Sequence, residues 1–401
     1  MQPPQRELRI LHVITRLIVG GAQEHALQTI IGQQHTPGMK VTLITGHDFG
    51  PEGTLEDKAK EAGVDMQFLP EMVRPIAPAT DTLALAKLTA FIRRGRFDVV
   101  HTHTSKAGIV GRLAARAANT PIIVHTLHGL IMGAHAKPWE NLLYTRLERI
   151  CASVCHRILD VSQATRQGAL SHGIGTPDKY RTIYSGFNIA PFLDIATRVS
   201  VAQAKQRLGF SPDHLVIGKV GRLFEKKGHE YMIEAAKEIS RHCDRARFMF
   251  VGDGNLRAQY EADVARAGLS DRFLFTGVLP PEQMPEVMQA MDILAHTSHR
   301  EGLARVIPQA QAVGKPVVSF ALDGSFDVIE DGVSGFLTKP HDAADVAKRV
   351  LEIIYDAPRR EQMGLIGRKF AAENFSTELM VKRTNEVYYE LAAERLAQHA
   401  A

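Results

Sequence analysis

Apolar positions in the first half of the chain fall in short, largely unbroken runs. Leu8 to Thr15 (LRILHVIT) is one, and Lys40–Thr45, Asp98–Thr102, Pro121–His125, Arg157–Val161 and Tyr180–Tyr184 repeat the pattern. Strands of a parallel sheet read this way, because helices cover the sheet above and below. Between the runs, apolar residues recur at helical spacing over Thr82–Arg94, Lys106–Ala118, Trp139–His156 and Ser162–His172. The alternation predicts βαβ units and a sheet that takes ligands at the carboxyl ends of its strands.

The pattern lapses over Ser185–Ser200 (SGFNIAPFLDIATRVS), where Gly, Asn and Pro accumulate, and this predicts an interdomain boundary. It resumes with strands at Leu215–Val220, Phe248–Val251, Arg272–Thr276, Ile293–His296, from Pro316, and near Gly335–Leu337. Helices are expected at Pro281–Ala290, Asp342–Tyr355 and Pro358–Glu373, and a long amphipathic one at Thr377–Gln398. The domains are accordingly 1–190 and 195–375, with a terminal segment 377–401.

Composition narrows the class. At 401 residues the chain suits two domains, and 45% hydrophobic with 23% charged residues describes an ordinary soluble globular protein. A formal charge of +4 and a pI near 8.9 allow weak peripheral contact with anionic lipid. Without an aromatic-interleaved basic patch, nucleic acid is not an expected partner. No run of about 18 apolar residues occurs and the start lacks a signal-type apolar region, so a cytoplasmic protein is expected, peripheral at most on the inner face of the plasma membrane. Three cysteines form no even framework and fit a reducing compartment; Cys151 and Cys155, at i,i+4, read as buried helix residues.

Candidate chemistry sits at strand ends. Gly20 and Gly21 read as a tight turn between the first strand and a helix, where free N–H groups can meet an anion. In Asp98–Ser105 (DVVHTHTS), His101 and His103 point to one face, but spacing fixes no third metal ligand, and Ser105 reads as a helix N-cap. Gly221 and Arg222 close one strand, with Lys226, Lys227 and Gly228 ahead of the next helix; Gly252, Asp253 and Gly254 repeat the strand-to-glycine turn. Arg93, Arg94, Arg96, Arg112 and Arg116 read as a solvated helix face. After Ile293–His296, Glu301-Gly302 opens a short helix that stops at Val313-Gly314. Glycine at such a mouth admits a ligand to the backbone, and Glu301 suits hydroxyls better than phosphate there. Gln309 lies ~12 Å further along that helix, the span of a ligand with a diphosphate between two hydroxylated groups.

The run HREGLARVIPQAQAVGKPVV resembles the donor-site signature of glycosyltransferase family 4, in which a Glu, seven residues and a second Glu precede a small-residue helix. Glu301 matches the first Glu, Gln309 stands in place of the second, and Asp327 replaces a usual Glu downstream. GRLFEKKG is similar to the family's phosphate motif, with Arg222 and Lys227 in the key places, and VHTLHG matches its H-T-x-H-G context with His128. The resemblance implies an α/β GT-B fold, two Rossmann-like domains facing a cleft, with a C-terminal helix crossing back to the N-terminal domain. The first domain would serve the acceptor and the second the nucleotide-sugar donor. It implies a retaining hexosyltransferase moving sugar from a nucleotide diphosphate sugar, a UDP-sugar, to a glycan or lipid-linked acceptor in bacterial surface polysaccharide synthesis. The catalytic set it implies is His128, Glu301, Arg222 and Lys227. Gly20, Gly21, Gly221, Gly252, Val278, Gly302, Leu303 and Gln309 complete the donor site, with no cofactor and no metal. A nucleotide-sugar 2-epimerase of the same fold and a catalytically silent sugar-nucleotide binder remain as alternatives.

Overall fold

The structure, a computed structural model, describes residues 6–47, 53–130 and 138–399. The chain divides into two compact units, Met1–Phe187 with Thr377–Ala401, and Asn188–Ser376.

Unit 1 alternates strand and helix throughout. In order come β1 (Leu8–Arg16), α1 (Gly21–Gln34), β2 (Met39–Gly46), α2 (Glu56–Glu61), β3 (Asp65–Phe68), α3 (Pro78–Gly95) and β4 (Val99–His103). Then follow α4 (Ser105–Ala117), β5 (Ile122–Leu127), α5 (Pro138–Val154), β6 (Arg157–Asp160), α6 (Gln163–Ser171) and β7 (Tyr180–Thr182). The seven strands form one parallel sheet in the order β3-β2-β1-β4-β5-β6-β7. One face buries Leu8, Ile10, Ile30 and Val124; the other buries Leu11, Val13, Leu88 and Ala114. Apolar residues on both faces explain the unbroken runs in the sequence.

Unit 2 opens with α7 (Ala190–Arg198) and α8 (Val201–Arg207), then β8 (Leu215–Val220), α9 (His229–His242), β9 (Ala246–Val251), α10 (Arg257–Arg266) and β10 (Phe273–Phe275). It continues with α11 (Met284–Gln289), β11 (Ile293–His296), α12 (Val306–Ala312), β12 (Val317–Phe320), α13 (Ser325–Val328), β13 (Gly335–Thr338), α14 (Ala343–Ile354) and α15 (Ala357–Asn374). Its six parallel strands run β10-β9-β8-β11-β12-β13. Ser185–Ser200 is not devoid of structure. It contains α7, whose buried Phe192 and Ile195 pack inward, with Pro191 in the first turn where its missing N–H costs nothing.

The last helix, α16 (Thr377–His399), returns to unit 1 and packs on α1. Met380, Val387, Tyr388 and Leu391 lie at helical spacing and join the core over β1. Burying each is worth about 1.5–3 kcal/mol. Gly32 permits the close approach, since a Cβ there would lie 2.5 Å from Val381 Cγ2.

Candidate active site

In unit 2 the chain leaves β8 toward β9 and β10 on one side, and β11, β12 and β13 fill the other. The connections after β8 and β11 therefore leave in opposite directions, the place where open α/β sheets take ligands. Lys219 on β8 donates from Nζ to Thr297 Oγ1 (2.8 Å), and Thr297 Oγ1 donates to the Gly228 carbonyl (2.6 Å). Gly228 has a left-handed φ of 63°, and a Cβ there would fall 1.9 Å from the Thr297 carbonyl oxygen, so this junction requires glycine. The same junction brings Lys227 Nζ into an ion pair with Glu301 Oε1, while Glu301 N–H donates to Asp323 Oδ2 (2.7 Å). The Lys227 stem reaches back over Gly221, its Cδ 3.8 Å from where a Cβ would be. Gly252, φ 133°, is fixed by the same close approach, as its Cβ would lie 2.3 Å from the Gly221 carbonyl oxygen. Its N–H donates to Gly277 O (3.0 Å), which brings Val278, 78% exposed, to this edge.

The two signature stretches are thus joined physically, but with two differences from the sequence reading. Lys227 pairs with Glu301, while Arg222 is exposed, its guanidinium carbon 4.9 Å from the Phe224 ring centre. Gly302 and Leu303 are not the first residues of a helix: they form a bend, and α12 starts at Val306. Pro308 accounts for the later start, since proline is accommodated in a first helical turn and not beyond it. Gln309, half-buried on α12, has no protein partner for its amide among the described residues. Burial lowers the pKa of Lys219 to about 7, with Lys227 adding repulsion, and raises that of Asp323.

Unit 1 has its own divergence, between β1 and β4. Gly20 precedes α1 with extended backbone (φ 179°), so the pair forms a helix entry and not a left-handed turn; a Cβ on Gly21 would meet nothing within 4 Å. Helix α4 begins at Ser105, not after it, and Thr104 (φ 60°) is its cap residue. The capping oxygen comes from β1: Thr15 Oγ1 accepts from Ala107 N–H (3.1 Å).

At this edge the histidines collect. His12 on β1 lies 2.9 Å through Nδ1 from His103 Nε2, and 2.8 Å through Nε2 from Gln33 Oε1. His103 Nδ1 is 3.3 Å from Nε2 of His128, which follows β5. His101 lies between Tyr388 (2.5 Å) and Thr126 (2.7 Å), and His25 meets both Ser185 and the edge of the His128 ring. His12, His101 and His103 present ring nitrogens within 4.8 Å of one another, a spacing a metal could use. Each of those nitrogens has a hydrogen-bond partner, which engages the lone pairs a metal would need. Burial lowers the pKa of His12 to about 4 and holds His101 and His103 well below the usual histidine value, which favours their neutral forms. His128, half-buried as a residue, is lowered too, to about 3, by burial.

Sequence reading missed His12, Gln33, Asn385, Lys219 and Asp323, although a lone polar residue within an apolar strand (His12, Lys219) is a usable signal. His125 is structural, held to Thr102 Oγ1 at 2.9 Å on the other face. Arg112 is no surface residue: it is fully buried and pairs with Glu148 at 2.6 Å. Cys151 and Cys155 are free and buried, their thiols pushed up to about 11 by burial.

Two parallel sheets of this kind, covered by helices, make two Rossmann-like units. Family models agree: residues 200–370 match "Glycosyl transferases group 1" and residues 19–190 match "Glycosyltransferase Family 4". The chain is 30% identical over 315 residues to a D-inositol 3-phosphate glycosyltransferase of Corynebacterium diphtheriae, covering 76% of this chain and 73% of that protein. The chain belongs to the GT4/GT-B superfamily of glycosyltransferases. It is 27% identical over 365 residues to the Escherichia coli UDP-Gal:alpha-D-GlcNAc-diphosphoundecaprenol alpha-1,3-galactosyltransferase (89% of this chain, 90% of that one). Its fold matches Anabaena HepE, crystallised with UDP and glucose (TM-score 0.75, 23% identity, 95% and 99% covered). It also matches a glycosyltransferase of Rickettsia africae (TM-score 0.79, 19% identity, 96% and 98% covered). Among the described residues no helix is long and apolar enough to cross a membrane.

Proposed function

We propose that this enzyme is a retaining hexosyltransferase of family 4. It moves a sugar from a UDP-sugar to a lipid-linked or glycan acceptor in bacterial surface polysaccharide synthesis. The observation that carries this reading is the joining of Gly221–Gly228 to the Glu301 stretch at the divergence point of unit 2, through Lys219, Thr297, Gly228 and the Lys227–Glu301 pair. The Escherichia coli relative named for UDP-Gal and a diphosphoundecaprenol acceptor supports the donor and acceptor classes.

In this mechanism unit 2 holds the nucleotide and unit 1 serves the acceptor. Arg222 and Lys227 bind the diphosphate and stabilise the charge that grows on it as the anomeric C–O bond breaks. An ammonium has three donors, so Lys227 can keep Glu301 and still reach a phosphate oxygen. Glu301 accepts from donor-sugar hydroxyls, the backbone of Gly302 and Leu303 meets phosphate, and Gln309 holds the ribose. Backbone near Val278 and Gly252 meets the base, and His128 meets the transferred sugar. The acceptor oxygen bonds to the anomeric carbon on the face the phosphate leaves, and its proton passes to the departing phosphate oxygen. The net charge of +4 supports weak docking on anionic lipid.

The test is product analysis by mass spectrometry with a panel of nucleotide sugars, with and without undecaprenyl-diphosphate sugar acceptors. A glycosylated acceptor and free nucleoside diphosphate are expected. A donor converted to its epimer without acceptor overturns transfer, and binding with no turnover on any pair overturns catalysis.

A further inference from the structure

The hydrogen bonds behind His128 form one continuous line with a fixed polarity. It starts at the carbonyl of Gly32, which can only accept, so Thr36 Oγ1 must donate to it (3.0 Å). With its proton committed, Thr36 Oγ1 accepts from Asn385 Nδ2 of α16 (3.3 Å). That orients the Asn385 amide and leaves Oδ1 to accept from Gln33 Nε2 (2.9 Å). Gln33 then offers Oε1, so His12 carries its proton on Nε2 (2.8 Å) and its Nδ1 is a bare acceptor. His103 in turn donates from Nε2 to His12 Nδ1 (2.9 Å) and presents a bare Nδ1. Only Nε2–H of His128 satisfies that atom (3.3 Å). Burial favours the neutral form of each ring, and with neutral rings each bond of the line sets the direction of the next.

We infer that Gln33 and Asn385 are positioning residues for the reaction: through His12 and His103 they hold His128 in its Nε2–H form, with Nδ1 presented as a hydrogen-bond acceptor. The line runs from helices α1 and α16 through β1 and β4 to the end of β5. Its functional meaning rests on the proposed role of His128 toward the transferred sugar. A bare Nδ1 accepts from a hydroxyl and offers nothing to an oxygen that can only accept. The site therefore takes a sugar bearing a hydroxyl where His128 meets it, and discriminates against one bearing a carboxylate there.

The test is a two-bond nitrogen–proton NMR spectrum of the full chain labelled with 15N-histidine, the His128 signal being assigned by its loss in His128→Gln. A protonated Nε2 and a bare Nδ1 are expected, and a protonated Nδ1 overturns the inference; this needs no folding-sensitive variant. Gln33→Glu keeps an oxygen for His12 Nε2–H but removes the donor to Asn385 Oδ1, so the Asn385 amide must turn its Nδ2 to the new carboxylate; with that turn the variant should keep both the His128 form and turnover. Gln33→Met removes it, and should mix the two His128 forms and cost roughly tenfold in kcat with UDP affinity unchanged. If packing alone mattered, Met would be the better tolerated of the two, and that order contradicts the inference. A His128 form that shifts in Gln33→Met without any change in kcat supports the line of bonds and overturns instead the role of His128 on the sugar.

Discussion

The two units carry the same kind of parallel sheet and treat its carboxyl edge in opposite ways. Unit 1 lines the edge with histidine rings, His12, His101, His103 and His128, kept from charging by burial and, at His101 and His103, also by the neighbouring rings. Unit 2 lines it with charge, Lys227 against Glu301 with Lys219 behind them. A neutral donor–acceptor array suits hydroxyls, which need direction more than charge; ions suit a diphosphate, whose charge must be met. One architecture thus presents two chemistries, and the choice of residues at strand ends makes the difference.

Acid should break the comparison most strongly. A histidine whose folded pKa lies below its unfolded value stabilises fully above about pH 6.5 and loses that contribution as pH falls through the folded pKa. For His12, lowered from 6.5 to about 4, the loss is about 3 kcal/mol. His101, His103, His125 and His128 add to it in unit 1, against His229, His296 and the half-buried His214 in unit 2. Hydrogen exchange read by mass spectrometry from about pH 7 to about pH 4.5 should show unit 1 opening first. Simultaneous opening would contradict it.

Unit 2 should answer to base instead. Lys219, with a folded pKa of about 7 against 10.5, stabilises above the unfolded value and loses that contribution as pH falls toward 7. Unit 2 should therefore gain stability as pH rises across that window, and Lys219→Met should flatten the rise and stabilise at neutral pH. Thr297 keeps its bond to Gly228 in that variant. A denaturant series giving equal pH slopes for both proteins would remove the buried lysine from the account.

The smallest expected effect is at Gln309. An amide offers one accepting oxygen to a ribose where a carboxylate offers two. Gln309→Glu should change nucleotide affinity by less than about tenfold, with transfer retained. Abolished binding would place another acidic group beside it.

Both sheets were legible because strands buried on two faces leave unbroken apolar runs, as Leu8–Thr15 and Leu215–Val220 do. β3 was not: Asp65–Phe68 is a short edge strand with alternate residues exposed, and four residues give periodicity nothing to count. α7 left a weak signal, Phe192 and Ile195 one turn apart behind Pro191, masked by glycine and asparagine on its amino side. Arg222, Lys227, Glu301 and His128 could be named as candidates because each sits in a local motif. The line from Gln33 to His128 could not, since residues 33, 385, 12 and 103 meet only through the β1–β4 pairing and the return of α16.

The division of labour is tested most directly by titrating UDP calorimetrically into the wild-type enzyme, Lys227→Ala and His128→Ala, with turnover measured on the same preparations. Charged hydrogen bonds of about 1.5–3 kcal/mol predict that Lys227→Ala weakens UDP by roughly ten- to a hundredfold. His128→Ala should leave UDP affinity unchanged while turnover collapses. Unchanged affinity in Lys227→Ala, or an equal loss of affinity in His128→Ala, would contradict the account.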